Sequence, residues 1–183
     1  MTPRRQWIAV IVVLALLGLG VSALVRYGGG RAPITIGSRA PDFRAVDLAT
    51  GDTVSLRDRY RGAVTLVNIW ATWCEPCRVE MPAMEKLYRA LGPRGFRIAA
   101  VSIDEGDAIE VRNFGQGLGL SFDLLQDRSG RIQQVYQTTG VPESFLLDRR
   151  GVIVKRVIGA HDWNAPVNRA LVERLLDEGR SGS

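Results

Sequence analysis

The chain has 183 residues, two cysteines, one histidine and a formal charge of +5. That length suits one domain with a tail and buries a core without disulfide stapling. The charge invites a nucleic-acid reading, but residues 1–37 hold four arginines and no acid, while the remainder carries 20 basic and 19 acidic side chains; with no basic block interleaved with aromatics, nucleic-acid binding is set aside.

In chain order, residues 1–6 form a short basic N-terminus and Trp7–Val25 follow without a charge. As a helix this run reaches ~28 Å, about one hydrocarbon core. It has no polar face, so a transmembrane anchor is expected. Arg4 and Arg5 put its start on the cytoplasmic side. The small residues of Val21–Ala23 also fit a cleaved signal, but Leu24 and Val25 prolong the apolar run and favour an uncleaved anchor. Residues 26–37, with three consecutive glycines, read as a linker. Residues 38–183 are then a soluble domain held outside the cytoplasmic membrane.

Within that domain, "DFRAVDLATGDTVSL" reads as a hairpin. "AVTLVNIW", Ala63–Trp70, is a continuous apolar run of the kind buried on both faces of a sheet. Met84, Leu87, Tyr88 and Leu91 then mark a one-sided helix. "FRIAAVSID" and "FDLLQD" read as strands, with a helix over "AIEVRNFGQGLG" between them. "RIQQVYQTTG" reads as a helix ended by Gly140. "SFLLD" and "VIVKRVIG" make an antiparallel pair. A final helix is expected with Asn164 as its cap and Val167, Leu171 and Leu175 on its buried face. Alternating strands and helices give an α/β fold, a central mixed sheet flanked by helices.

The cysteines, Cys74 and Cys77, stand two residues apart in "WCEPC". A staple closing so short a loop gains little. Two cysteines and one histidine cannot complete a closed zinc site, so no metal and no cofactor is expected. The pair sits where a buried strand turns into a helix. Unpaired N–H groups at the helix start stabilise a thiolate at Cys74, and Cys77 lies one turn further on. That is an attacking and a resolving thiol. Pro76 fits a first helical turn. His161, in "GAHDW", reads as a solvated loop residue.

"NIWATWCEPCRVEMP", "VSID", "GVPESFLLD" and "RRGVIVKRVIG" resemble the thioredoxin-like family, in its membrane-tethered TlpA/ResA/DsbE-like branch. The resemblance covers roughly Ser38 to Glu178. It implies a thioredoxin-like fold with an N-terminal hairpin and a strand–helix insert within Gly95–Leu125. It implies thiol–disulfide exchange outside the cytoplasmic membrane on disulfide-containing envelope proteins, often apocytochrome c. Electrons would come from a membrane reductase of CcdA or DsbD type. Cys74 matches the nucleophile, Cys77 the resolving thiol, Trp70 and Trp73 the flanking aromatics, and Pro142 a cis-proline facing the disulfide. A cis bond there leaves the backbone of Val141 free to pair with an extended partner chain. Asn68 replaces the buried aspartate of cytosolic thioredoxin and cannot titrate. Glu80, one turn after Cys77, is the candidate proton acceptor in its place. Glu75 and Glu143 are expected near the surface, making the groove acidic and attractive to basic segments. A negative charge at Glu75 opposes a thiolate, which favours a reductant over an oxidant. An oxidising enzyme and a non-enzymatic copper carrier are the alternatives. A peroxiredoxin would carry threonine where Ala71 stands.

Overall fold

The computed structural model describes residues 3–27 and 33–178. The chain divides into two units, Met1–Pro33 and Ile34–Ser183. The first contains α1, Pro3–Tyr27. Its described apolar side chains, among them Trp7, Ile11, Leu14 and Leu17, are exposed within that unit. Among the described residues no helix is long and apolar enough to cross a membrane. The glycine run expected as a linker, Gly28–Gly30, lies outside the described residues.

In the second unit, seven strands form one mixed sheet. They are β1 (Arg44–Asp47), β2 (Thr53–Ser55), β3 (Val64–Trp70), β4 (Phe96–Ser102), β5 (Asp123–Gln126), β6 (Glu143–Leu147) and β7 (Ile153–Ile158), in the order β2-β1-β5-β4-β3-β6-β7. β3 is central, parallel to β4 and antiparallel to β6. Every residue of β3 is buried, as its β-branched, apolar sequence requires for a strand covered on both faces. The helices are α2 (Leu56–Arg59), α3 (Glu75–Leu91), α4 (Ala108–Gly117), α5 (Arg131–Tyr136) and α6 (Pro166–Glu178). The expected insert is α4 with β5, which enters the sheet between β4 and β1.

The period-two alternation of β3 sorts the core into two layers. Val64, Leu66 and Trp70 share one cluster with Met81, Met84 and Leu87 of α3 and with Val172 and Leu176 of α6. Val67 and Ile69 face the other way, with Ile132 and Tyr136 of α5 and Phe145. By the same alternation Asn68 lies on the α3 face. Gly115 in α4 is required by packing: a Cβ there would come within 2.1 Å of Leu124 Cδ1.

Two expectations are corrected. α5 ends at Gln137, in a left-handed conformation with φ 51°, rather than at Gly140. α6 begins at Pro166, and the residues it buries are Asn168, Val172, Leu175 and Leu176, while Val167 is exposed. Pro suits the first helical position because its absent N–H needs no partner there. Of the expected face, Leu175 is buried and Leu171 partly so, and only Val167 turns out to solvent.

Candidate active site

Cys74 is the N-cap of α3, and its sulfur accepts the backbone N–H of Cys77 at 3.2 Å. Cys74 and Cys77 form a disulfide with Cα atoms 5.3 Å apart. Cys77 is fully buried, and Cys74 keeps the pair's small exposure. On reduction, the donor already aimed at Cys74 would meet a thiolate, where hydrogen bonding and the helix N-terminus favour the charged form. Pro76 leaves the first turn intact. Pro82, deeper in α3, leaves the carbonyl of Arg78 without its helical donor.

The approach to the cysteines is held by Asp104, just past β4. Its carboxylate accepts the Thr72 N–H at 3.0 Å, the Thr72 hydroxyl at 2.7 Å and the Ser102 hydroxyl at 2.6 Å. Sequence reading missed this residue, although an acid directly after the strand in "VSID" was its signal. The tethered turn leaves Trp73 69% exposed beside the disulfide, while Trp70 is buried against Phe114 with ring centroids 5.3 Å apart. A groove of about 800 Å³ runs past Thr72 and Trp73, lined by Asp104, Glu105, Asp107 and Glu110 together with Arg128, whose Nε donates to the Glu105 carbonyl at 3.0 Å. Glu75 is exposed and stands 4.0 Å from Arg78.

The Val141–Pro142 bond is cis. The register pairs Ile69 with Glu143, so Pro142 lies at the end of β3 from which the cysteine turn departs. Val141 is half-buried and Pro142 buried.

Glu143 is not a surface group. It is fully buried, its carboxylate paired with Arg156 and accepting the Thr139 N–H at 3.2 Å. The hairpin register explains the pairing. Phe145 is opposite Arg156 and Glu143 opposite Ile158, which makes Arg156 the diagonal neighbour of Glu143 on one face of the hairpin. Glu143 therefore adds no charge to the surface of the site, whose exposed acids are Glu75 and, in the groove, Glu105, Asp107 and Glu110.

Glu80 is 3% exposed. Asn68 Nδ2 donates to its Oε1 at 2.7 Å and to Ser144 Oγ at 2.9 Å, and the backbone N–H of His161 donates to Oε2 at 3.1 Å. Asn68 and Ser144 are register partners on neighbouring strands. Burial pushes the Glu80 carboxyl from 4.5 up to about 7, only partly offset by the two donors. His161 is not solvated: it is half-buried, its ring edge-on to Trp163 at 5.1 Å and hydrogen-bonded to Lys155 and Asn168.

The sequence pattern of the AhpC/TSA family matches residues 36–156. The chain belongs to that family. It is 36% identical over 160 residues to the thiol-disulfide oxidoreductase ResA of Bacillus thuringiensis (strain Al Hakam), covering 87% of this chain and 91% of the relative. It is 37% identical over 152 residues to the thioredoxin-like protein YneN of Bacillus subtilis, covering 81% and 87%. Among solved structures, a thiol:disulfide interchange protein from Bacteroides sp. superimposes with a TM-score of 0.67 at 28% identity, covering 79% of this chain and 91% of that one. Another, from Chlorobium tepidum TLS, gives 0.65 at 25%, covering 81% and 99%. The thioredoxin-like family expected from "WCEPC" and "GVPES" is the one found, and with it the class of activity, thiol–disulfide exchange.

Proposed function

We propose that this chain is a membrane-anchored thiol–disulfide oxidoreductase working as a reductant of disulfides in proteins outside the cytoplasmic membrane. The observation that carries the chemistry is the Cys74–Cys77 disulfide at the start of α3, on the helix that also bears the buried Glu80 carboxyl, whose partners are neutral donors. In the reduced enzyme, the Cys74 thiolate attacks a substrate disulfide. One substrate sulfur leaves as a thiol and the other joins Cys74 in a mixed disulfide. Cys77 loses its proton to Glu80 and attacks Cys74 Sγ. The second substrate thiol is released and the disulfide seen here re-forms. A membrane dithiol reductase of CcdA or DsbD type returns the two electrons.

Trp73, Val141 and Pro142 supply the substrate-facing surface, with extended pairing along Val141. The acidic groove beside Trp73 favours substrates whose cysteines lie among basic residues, and an apocytochrome c segment is one such substrate. The anchor rests on the uncharged run Trp7–Val25.

Cysteine variants test the exchange. Cys74→Ser abolishes disulfide reduction. Cys77→Ser leaves the attack and accumulates a mixed disulfide in cells, whose isolation identifies the substrate. Trapping on Cys74→Ser instead reverses the roles. Equilibration with glutathione tests direction: a potential nearer ~−270 mV than ~−120 mV is expected, and the oxidising value refutes the reductant reading. Membrane fractionation tests the anchor, and a soluble product starting at Leu24 refutes it.

A further inference from the structure

The second donor to Glu80 comes from a loop with a clamp of its own. His161 follows β7 and precedes α6, and its backbone N–H reaches Glu80 Oε2 at 3.1 Å. Its ring Nε2 lies 3.3 Å from Lys155 Nζ and 2.9 Å from Asn168 Nδ2. The roles in this trio are determined by its neighbours. An ammonium only donates, so the Asn168 oxygen faces Lys155. The Asp162 carbonyl only accepts, and Asn168 Nδ2 donates to it at 2.7 Å. The amide orientation is thus determined at both ends, and its nitrogen also faces His161. Nε2 then faces only donors, so it presents its lone pair to them and the ring proton sits on Nδ1. Asn168 is 1% exposed, and Trp163, fully buried, closes the cluster, with Lys155 Nζ 5.5 Å from its ring centroid. A side chain expected to be solvated is instead the hub of a half-buried clamp.

The same loop forms one wall of a cleft of about 440 Å³ whose other wall is α3, lined by Val79, Glu80, Lys86, Ala160, His161 and Asp162. Glu80 thus stands between Asn68 and Ser144 on the sheet side and this cleft on the other. The charged and titratable groups around it are Cys77 and Lys86 on α3, Lys155 on β7, and His161 and Asp162 on the loop.

We propose that His161 is a positioning residue for Glu80: its neutral ring, clamped by Lys155 and Asn168, holds the loop so that its own backbone N–H stays on the carboxylate, at the mouth of the cleft through which Glu80 exchanges its proton with water. The proposal rests on the reading of Glu80 as the proton acceptor for Cys77. With the clamp intact, the carboxylate keeps one N–H donor that favours its charged form. When the ring loses its acceptor role, the donor withdraws, Glu80 holds its proton to higher pH, and less negative charge faces the thiols. Adding a proton to Nε2 has the same effect, because a third N–H would face the two donors already there.

The test has two arms. In wild-type protein, the His161 backbone amide and the Glu80 side-chain carboxyl are followed by NMR against pH. The amide is expected to titrate together with the carboxyl, and the ring nitrogens to report the Nδ1–H tautomer at neutral pH. An amide that ignores the Glu80 titration, or a ring protonated on Nε2 at neutral pH, overturns the proposal without any variant having to fold. In the second arm, alkylation of the reduced thiols is titrated in wild type, His161→Phe, Glu80→Gln and the double variant. Phenylalanine keeps a ring edge for Trp163 and removes the acceptor. His161→Phe is expected to move the Cys74 titration to lower pH, in the direction of Glu80→Gln and by less. In the Glu80→Gln background it should produce no further shift. Where Glu80→Gln itself moves the thiol titration, an equal shift in both backgrounds, or none in either, sinks the clamp. Glu80→Gln alone judges the proton-acceptor reading: if it leaves the thiols unchanged while the His161 amide still follows Glu80, that reading fails and the positioning stands.

Discussion

The two faces of the sheet each bury a glutamate at the end that carries the cysteines, and they treat it in opposite ways. On the α5 face Glu143 is paired with Arg156, and the arginine also lies over the Phe145 ring. On the α3 face Glu80 has only neutral donors, an asparagine amide and a backbone N–H. Burial is nearly equal, at 0% and 3% exposure, so burial alone does not separate a structural acid from a titrating one. The charge of the partner does. A guanidinium compensates a buried carboxylate at every working pH. Dipoles compensate it only partly and leave it poised near neutrality. The poised one is on the face shared with Cys77.

Breaking the compensated side should have the largest effect. Arg156→Met leaves Glu143 buried and unpaired and is expected to cost about 3–5 kcal/mol in urea unfolding at pH 7. A loss below ~1 kcal/mol would mean that the pair is solvated and the contrast between the faces is false. On the poised side the sign depends on pH. The carboxyl of Glu80 rises on folding from 4.5 to about 7, so the native state binds the extra proton between those values. Stability from this group is therefore full below about pH 4.5 and is lost as pH rises toward 7, by no more than about 3 kcal/mol. Glu80→Gln cannot titrate, so its stability relative to wild type should improve between pH 5 and pH 8. A difference that stays flat across that range would place the Glu80 pKa near its ordinary value.

Asn68→Ala sharpens the comparison further. It removes one of the two donors, raises the Glu80 pKa above its wild-type value, and costs about 1 kcal/mol for the lost buried hydrogen bonds. An unchanged carboxyl titration by NMR would show that burial outweighs the amide entirely. Trp73→Ala should change stability by less than ~0.5 kcal/mol because the side chain is exposed. It should still slow reduction of a protein disulfide relative to a small one. Equal slowing of both would remove Trp73 from the substrate surface.

The order of strands and helices was legible because the apolar runs are strong. β3 and β4 are almost wholly buried, and such segments announce themselves. The cysteines were legible from spacing and from their place between strand and helix. The charge state of the site was not. Glu143 looked like a groove acid because its neutralising arginine lies 13 residues on, visible only once the hairpin register is known. His161 looked solvated because its partners come from β7 and α6, and neither contact is local in sequence. Asn68 was read correctly as unable to titrate, but its bridge between Glu80 and Ser144 depends on strand pairing. Local chemistry could be read from local sequence. Compensation of buried charge could not, since it is a property of the packed layers.

The central claim is that Glu80 takes the proton from Cys77 during resolution. Single-turnover reduction of a disulfide peptide by pre-reduced enzyme, followed against pH in wild type and Glu80→Gln, tests it most directly. The account predicts a wild-type rate that rises through pH ~7 as the carboxyl ionises, an ionisation placed at about 7 in the oxidised protein. In Glu80→Gln that limb should be absent and release of the second substrate thiol slowed by ~100-fold or more, the low end expected for loss of a positioned base. Superimposable profiles with equal rates would contradict it and would leave Cys77 giving its proton to water or to another group.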